Sequence, residues 1–269
     1  LVPILLTAGL AGACASPSIT AQSTDQAYLV RSFEVSEPVV DIRTSGGSIA
    51  VSGVSGRTVE VRMVVRQNGR ILTPADTDLD DYEITVAKQG DRIVAHARRK
   101  GAWSWGSRTP SISFEVTMPR SGSVEAKTSG GSVSARGIRG ELDLDTSGGS
   151  VSIQDTEGQA RLDTSGGSIS IEGHSGSADA STSGGGISLE RSQGEFRVST
   201  SGGSISIEQV SGQVEAETSG GSIRAELDRV DGDLDLSTSG GSIRITVPGG
   251  QGYDLDLAGT RVDVRLVDF

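Results

Sequence analysis

The chain has a single cysteine among 269 residues, so no intramolecular disulfide can hold its fold together. Its only histidines are His96 and His174, too few to build a zinc or copper site, and no metal, cofactor or catalytic group is expected. Positive charge is also scarce. The formal charge is −11, which argues against nucleic acid as a partner, since phosphate binding needs clustered Lys and Arg. Beyond the first residues no segment carries apolar side chains at spacings of three and four, so no helix is expected there. Glycine is abundant instead, with 38 residues. The strict Val/Ile/Leu alternation between the glycines argues against the disorder such a composition would otherwise suggest.

The opening "LVPILLTAGLAGACAS" is an apolar run that is too short to span a bilayer and fits the apolar region of a secretory signal. It lacks an initial Met and a basic flank, so the start reads as clipped. "LAGAC" is similar to the bacterial lipoprotein box, which implies lipidation of Cys14 and a membrane anchor, although Ala11 stands where that pattern prefers a larger aliphatic residue. Cleavage after "ACA" or "ITA" by the ordinary signal peptidase is the alternative. Both readings export the protein to the bacterial envelope.

Residues 1–14 are therefore read as a signal and lipobox segment, and 15–27 as a polar tether. Residues 28–127 are read as an irregular β region. Candidate strands are "SFEV", "PVVDIR", "TVEVRMVVR", "YEITVAKQGDRIVAHAR" and "SISFEVTMP", and "AKQGDR" carries the turn residues of a hairpin. From 128 to 269 the pattern is regular. Thr-Ser-Gly-Gly begins at Thr128, Thr146, Thr164, Thr182, Thr200 and Thr218, a constant step of 18, and recurs at Thr238 after two extra residues. A separate copy stands at Thr44.

With Thr as position 1, positions 6, 8, 15 and 17 are apolar and position 13 is glycine, as at Gly140, Gly158, Gly176, Gly194 and Gly212. Each unit thus reads as strand, corner, strand, corner, with period-2 alternation in both strands. Two short strands cannot bury their own apolar faces, so the units must stack. The expected fold is all-β: a parallel β-solenoid of about 18 residues per turn, right-handed by the crossover rule. The corner glycines are Gly130, Gly131, Gly148, Gly149, Gly166, Gly167, Gly184, Gly185, Gly202, Gly203, Gly220, Gly221, Gly240 and Gly241. They are expected to supply positive φ or close backbone approach, with Ser and Thr beside them bonding local backbone or forming hydroxyl ladders.

These "TSGGSI" and "TSGGSV" units, with "VVDIRTSGGSIAV" before them and "ISFEVTMPRSGSVEAKTSGGSV" leading into the series, resemble the bacterial "putative adhesin" family of β-strand repeat proteins. The resemblance covers about residues 30–265. It implies a domain of unknown function and assigns no catalytic residues.

Other chemistries find little support. "GHSGS" at Gly173–Ser177 misplaces the second glycine of a nucleophile elbow and lacks the following helix. Calcium-binding β-rolls need Asp in register, whereas here Gly-Gly is followed by Ser and then Val or Ile. A polysaccharide-active β-helix enzyme would need long loops around a cleft, and an ice-binding face would need hydroxyls in mid-strand. One irregular feature stands out. "HARRKGAWSWGSR" gathers Arg98, Arg99, Lys100 and Arg108 around Trp103 and Trp105, the only tryptophans. This stretch reads either as a binding loop for glycan, anionic lipid or protein, or as a cap over the solenoid end.

The sequence therefore predicts a non-enzymatic, exported envelope protein, an adhesin or scaffold that displays a stiff repeat surface for multivalent contacts. Its partners would be the membrane through Cys14 and a surface glycan or envelope protein. A periplasmic binding protein acting through its N-terminal region is the alternative. An open solenoid end offers unpaired edges, so self-association is part of the expectation.

Overall fold

The computed structural model describes residues 27–101, 109–249, 255–258 and 261–267, and these contain strands and turns but no helix. The fold is a parallel β-solenoid with a less regular N-terminal part. Each repeat supplies an eight-residue strand such as Arg139–Thr146 and a four-residue strand such as Val151–Gln154. Long strands stack on long strands and short on short, parallel and without slippage as far as Ile205–Thr218. Leu142 sits beside Ala160, Thr146 beside Thr164, and Val151 beside Ile169.

The 18-residue step produces this register, because equal turns bring equal positions together and alternation then sends positions 6, 8, 15 and 17 inward. Leu142, Leu144, Val151, Ile153, Leu162, Ile169 and their equivalents form one continuous buried core. Position 11 also points inward, as Ile138, Thr156, His174, Ser192 and Val210, although its mixed chemistry hides it in the sequence. The two extra residues before Thr238 are absorbed where strand Ile223–Thr238 slips register against Ile205–Thr218, between Gly212 and Val214.

The copy at Thr44, isolated in sequence, is part of the same stack. Thr44 lies beside Thr128, and Ile49 beside Val133. On their other side, Val39–Thr44 pairs in parallel with Arg92–Arg99, and Ile49–Val54 with Ser111–Pro119. The solenoid therefore runs two turns further towards the N-terminus than the regular repeats, with spatial order departing from chain order.

Antiparallel strands finish this end. Thr58–Gln67 pairs with Ser111–Pro119, Tyr82–Gln89 folds back on Arg92–Arg99, and Leu29–Glu34 adds to Thr58–Gln67. Gly90, at φ +64°, makes the hairpin turn. Here the core is filled by larger side chains, Met63, Phe114 and Met118. At the other end, Arg261–Val267 pairs with Ser242–Pro248 and exposes Val262 and Val264.

Candidate functional site

The Thr-Ser-Gly-Gly corner is built from main-chain contacts between turns. The Thr hydroxyl is buried and donates to the carbonyl of the second glycine one turn back. Thr146 donates to Gly131 O (2.8 Å), Thr164 to Gly149 O (2.7 Å) and Thr182 to Gly167 O (2.8 Å). The same oxygen accepts from the glycine three residues on, as with Gly185 N at 3.3 Å from Thr182 Oγ1. The threonines thus form no hydroxyl ladder, because each hydroxyl is committed to backbone. At position 5 the serine hydroxyls accept from the backbone of the next turn, Ser168 N donating to Ser150 Oγ (3.3 Å) and Ser222 N to Ser204 Oγ (3.2 Å), and two hydroxyls meet at Ser222 and Ser242 (3.4 Å).

The glycines are not equivalent. A Cβ on Gly149 would lie 2.1 Å from Gly131 O, whereas one on Gly148 would meet nothing nearer than 3.5 Å. The second glycine is required by close backbone approach and the first is not. At position 13 both reasons apply: Gly158 has φ +122°, and its Cβ would stand 2.4 Å from Gly140 O. The Thr hydroxyls and the second glycines of the corner are engaged in holding turns together.

Within the core, His174 Nδ1 is 2.9 Å from Thr156 Oγ1 and Nε2 is 3.2 Å from Ser177 O, while His174 N donates to Ser192 Oγ (3.1 Å). Nε2–H donating to the carbonyl and Nδ1 accepting from Thr156 describes a neutral ring. Burial pushes the His174 pKa down, against the carbonyls of Ser177 and Gly158, which favour the proton. Ser177 meets His174 through its carbonyl, which is not the geometry of a nucleophile and its base. Among the described residues no group of three or more His, Cys, Asp or Glu could hold a metal.

The outer faces repeat their chemistry at every turn. The short-strand face carries Ser134, Ser152, Ser170, Ser188 and Ser206 in one row and Glu172, Glu190, Glu208 and Glu226 in the next. These position-7 serines do lie in mid-strand. The long-strand face carries Asp143, Arg161, Asp179, Arg197 and Glu215, alternating in sign. Arg197 pairs with Glu215 at 2.7 Å and Arg161 approaches Asp179 at 3.9 Å.

Towards the N-terminus this face ends in a denser cluster. Asp41, nearly buried, receives Arg43 Nε at 3.0 Å and Arg92 at 2.7 Å. His96 Nε2 lies 2.9 Å from Asp41 Oδ1, close enough for an ion pair but not aimed for a hydrogen bond. Glu125 receives Arg43 at 2.8 Å and Arg92 at 2.9 Å. Burial pushes the Asp41 pKa up, but the hydrogen bond from Arg92 and the charge of Arg43 outweigh it and hold the carboxyl below its ordinary value. Sequence reasoning missed this cluster because its members come from three strands about 30 to 50 residues apart, with no shared motif.

Of the residues singled out in the sequence, Arg98 pairs with Glu83 at 2.8 Å, and Lys100 Nζ donates to Asp80 O (3.1 Å). Arg99 lies beside Tyr82 in the hairpin. Trp103, Trp105, Arg108 and Cys14 lie outside the described residues. Ala97 and Phe114 lie beside Thr44 and Ile49, so the chain between them is longer in sequence than the Thr-Ser-Gly-Gly stretch between Thr44 and Ile49.

The profile of the family Toastrack DUF4097 matches residues 107–267. No curated protein matches the chain. Among solved structures, a "putative lipid binding protein" of Parabacteroides distasonis ATCC 8503 aligns with TM-score 0.52 at 13% identity, over 89% of this chain and 96% of that one. A "putative adhesin" of Bacteroides fragilis NCTC 9343 aligns with TM-score 0.43 at 16% identity, over the same shares. The first of these likenesses is one of fold.

Proposed function

This chain belongs to the Toastrack DUF4097 family, and from that premise we propose that it is an exported, non-enzymatic protein of the bacterial envelope. In this reading it is a rigid scaffold that presents repeated side chains for multivalent contact. The observation that carries it is the exact repetition of outward columns. Five serines, four glutamates and five alternating charges each recur once per turn, at a rise of about 4.8 Å. Individually weak contacts to a repetitive partner add through effective concentration on such a surface.

Lipidation of Cys14 would tether the rod by its N-terminal end, with residues 15–27 as spacer. The second reading, function through the N-terminal region, is favoured by the longer sequence, with Trp103 and Trp105 in it, between Ala97 and Phe114. The test is intact mass of the protein from membranes together with protease shaving of whole cells. An acylated Cys14 and loss on shaving are expected of a surface adhesin. An acylated but protected protein would favour the periplasmic reading, and an unacylated one would remove the anchor. Trp103→Ala with Trp105→Ala should weaken capture of envelope fractions if the second reading holds.

A further inference from the structure

A hollow of about 410 Å³ opens on the long-strand face near the N-terminal end, walled by Arg43, Ser45, Thr85, His96 and Arg98. We propose that this hollow is an anion site that takes a phosphate group. The proposal does not depend on the scaffold reading.

The hollow lies where the repeat is interrupted. Every regular turn places a Thr at the head of its corner, and the strand next to Thr44 places Ala97 there instead. Thr85 adjoins His96 and Glu83 adjoins Arg98 in the hairpin, so donors from three neighbouring strands converge. Arg43 is fixed from behind: its Nε donates to Asp41 and one terminal nitrogen to Glu125, while half of the side chain stays exposed. Both carboxylates are themselves tied by Arg92, at 2.7 Å and 2.9 Å. A guanidinium held in this way does not have to be reorganised when an anion arrives.

Arg98 faces it across the hollow, bonded by one nitrogen to Glu83, the only carboxylate on the walls among the described residues. Two guanidinium groups and two hydroxyls suit an anion with several acceptor oxygens in a tetrahedral arrangement better than a flat carboxylate. The volume exceeds that of free phosphate, so a phosphate carried on a larger group fits.

The test is a titration of the full ¹⁵N-labelled chain with inorganic phosphate at constant ionic strength, with acetate as comparison. Saturable shifts at Ser45, Thr85, Ala97 and Arg98 are expected, with Kd near 1 mM or below for phosphate, and weaker binding of acetate. Arg43→Gln should abolish binding but also disturbs the Asp41 cluster. Arg98→Glu, whose ion pair is with exposed Glu83 alone, therefore decides, and should weaken binding by about tenfold or more. Vesicles of phosphatidylglycerol distinguish the sources. Pelleting of wild type but not Arg98→Glu identifies a lipid headgroup, whereas phosphate binding without pelleting identifies a soluble or glycan-borne phosphate. Absence of saturable shifts, equal binding by Arg98→Glu, or equal affinity for acetate would overturn the site. If Arg98→Glu is then captured by envelope fractions as well as wild type, the scaffold reading survives that failure.

Discussion

Gly148 and Gly149 are adjacent and belong to the same motif, yet only one is tightly constrained. Adding a methyl group to Gly149 drives it into the backbone oxygen of Gly131, which cannot move without breaking the stack, whereas Gly148 has ordinary space. Gly149→Ala should therefore cost about 2–3 kcal/mol and Gly148→Ala about 0.5 kcal/mol or less, compared by urea midpoints. Equal losses would remove the close-approach explanation. His174 gives a second test at this scale. An unfolded chain takes a proton on this ring near pH 6.5, while the folded pKa is lowered by burial. The unfolded state thus gains protons first as pH falls, and stability declines below about pH 6.5 with a slope of at most about 1.4 kcal/mol per unit. Asp41, whose folded pKa is lowered, contributes stability that is kept above about pH 4 and lost below it. Its window is separate. Unfolding midpoints at pH 7.5 and 5.5 should differ more in wild type than in His174→Asn. An unchanged difference would show that the ring is not held neutral.

At the scale of the strand and its corner, a column that no sequence pattern announces sets the path of the chain. Position 10 is left-handed in every regular turn for which it is glycine, Asp155, Arg191 or Gln209, with φ from +47° to +67°. Left-handed backbone costs an ordinary L-residue roughly 1–2 kcal/mol, part of which glycine returns through its greater unfolded freedom. Gln209→Gly should raise stability by about 0.5–1 kcal/mol, read as a higher thermal midpoint. A lower midpoint would mean that the Gln209 side chain holds the corner by contacts of its own. Position 10 was illegible because Gly, Asp, Arg and Gln share no composition. Positions 6, 8, 15 and 17 were legible because equal spacing made their apolarity repeat. The same logic explains why the Thr44 turn escaped: its neighbour Thr128 is 84 residues away, and the chain between them doubles back antiparallel before rejoining the stack. The anion hollow was hidden for a related reason, since Arg43, Thr85 and Arg98 meet only because strands far apart in sequence pair side by side.

For the whole molecule, length is set by turns and charge accumulates with length. Of 35 acidic residues 22 lie at or beyond Thr128, against 10 of the 24 basic ones, so the repeat series carries the whole of the net negative charge and the residues before it are close to neutral. Residues 200–217 form one complete turn with three glutamates and no basic residue. Deleting them would join Ser199 to Thr218 with every position preserved. Ile187 and Leu189 would then stack on Ile223 and Ala225, Phe196 and Val198 on Leu234 and Leu236, and Arg197 would meet Asp235 in place of Glu215. The lost stacking is partly offset by relief of repulsion along the glutamate row, where Glu190 and Glu208 lie side by side. Removing 17 residues instead, 200–216, puts Glu217 where the corner threonine belongs and turns the alternation inside out. The 18-residue deletion should fold cooperatively as a rod shorter by about 5 Å, measured by small-angle scattering. The 17-residue deletion should lose cooperative unfolding and bind hydrophobic dyes. If both fold alike, contacts within a turn outweigh those between turns. If both fail, turns are not interchangeable, and a scaffold whose reach evolves by adding or losing repeats would have no physical basis in this chain.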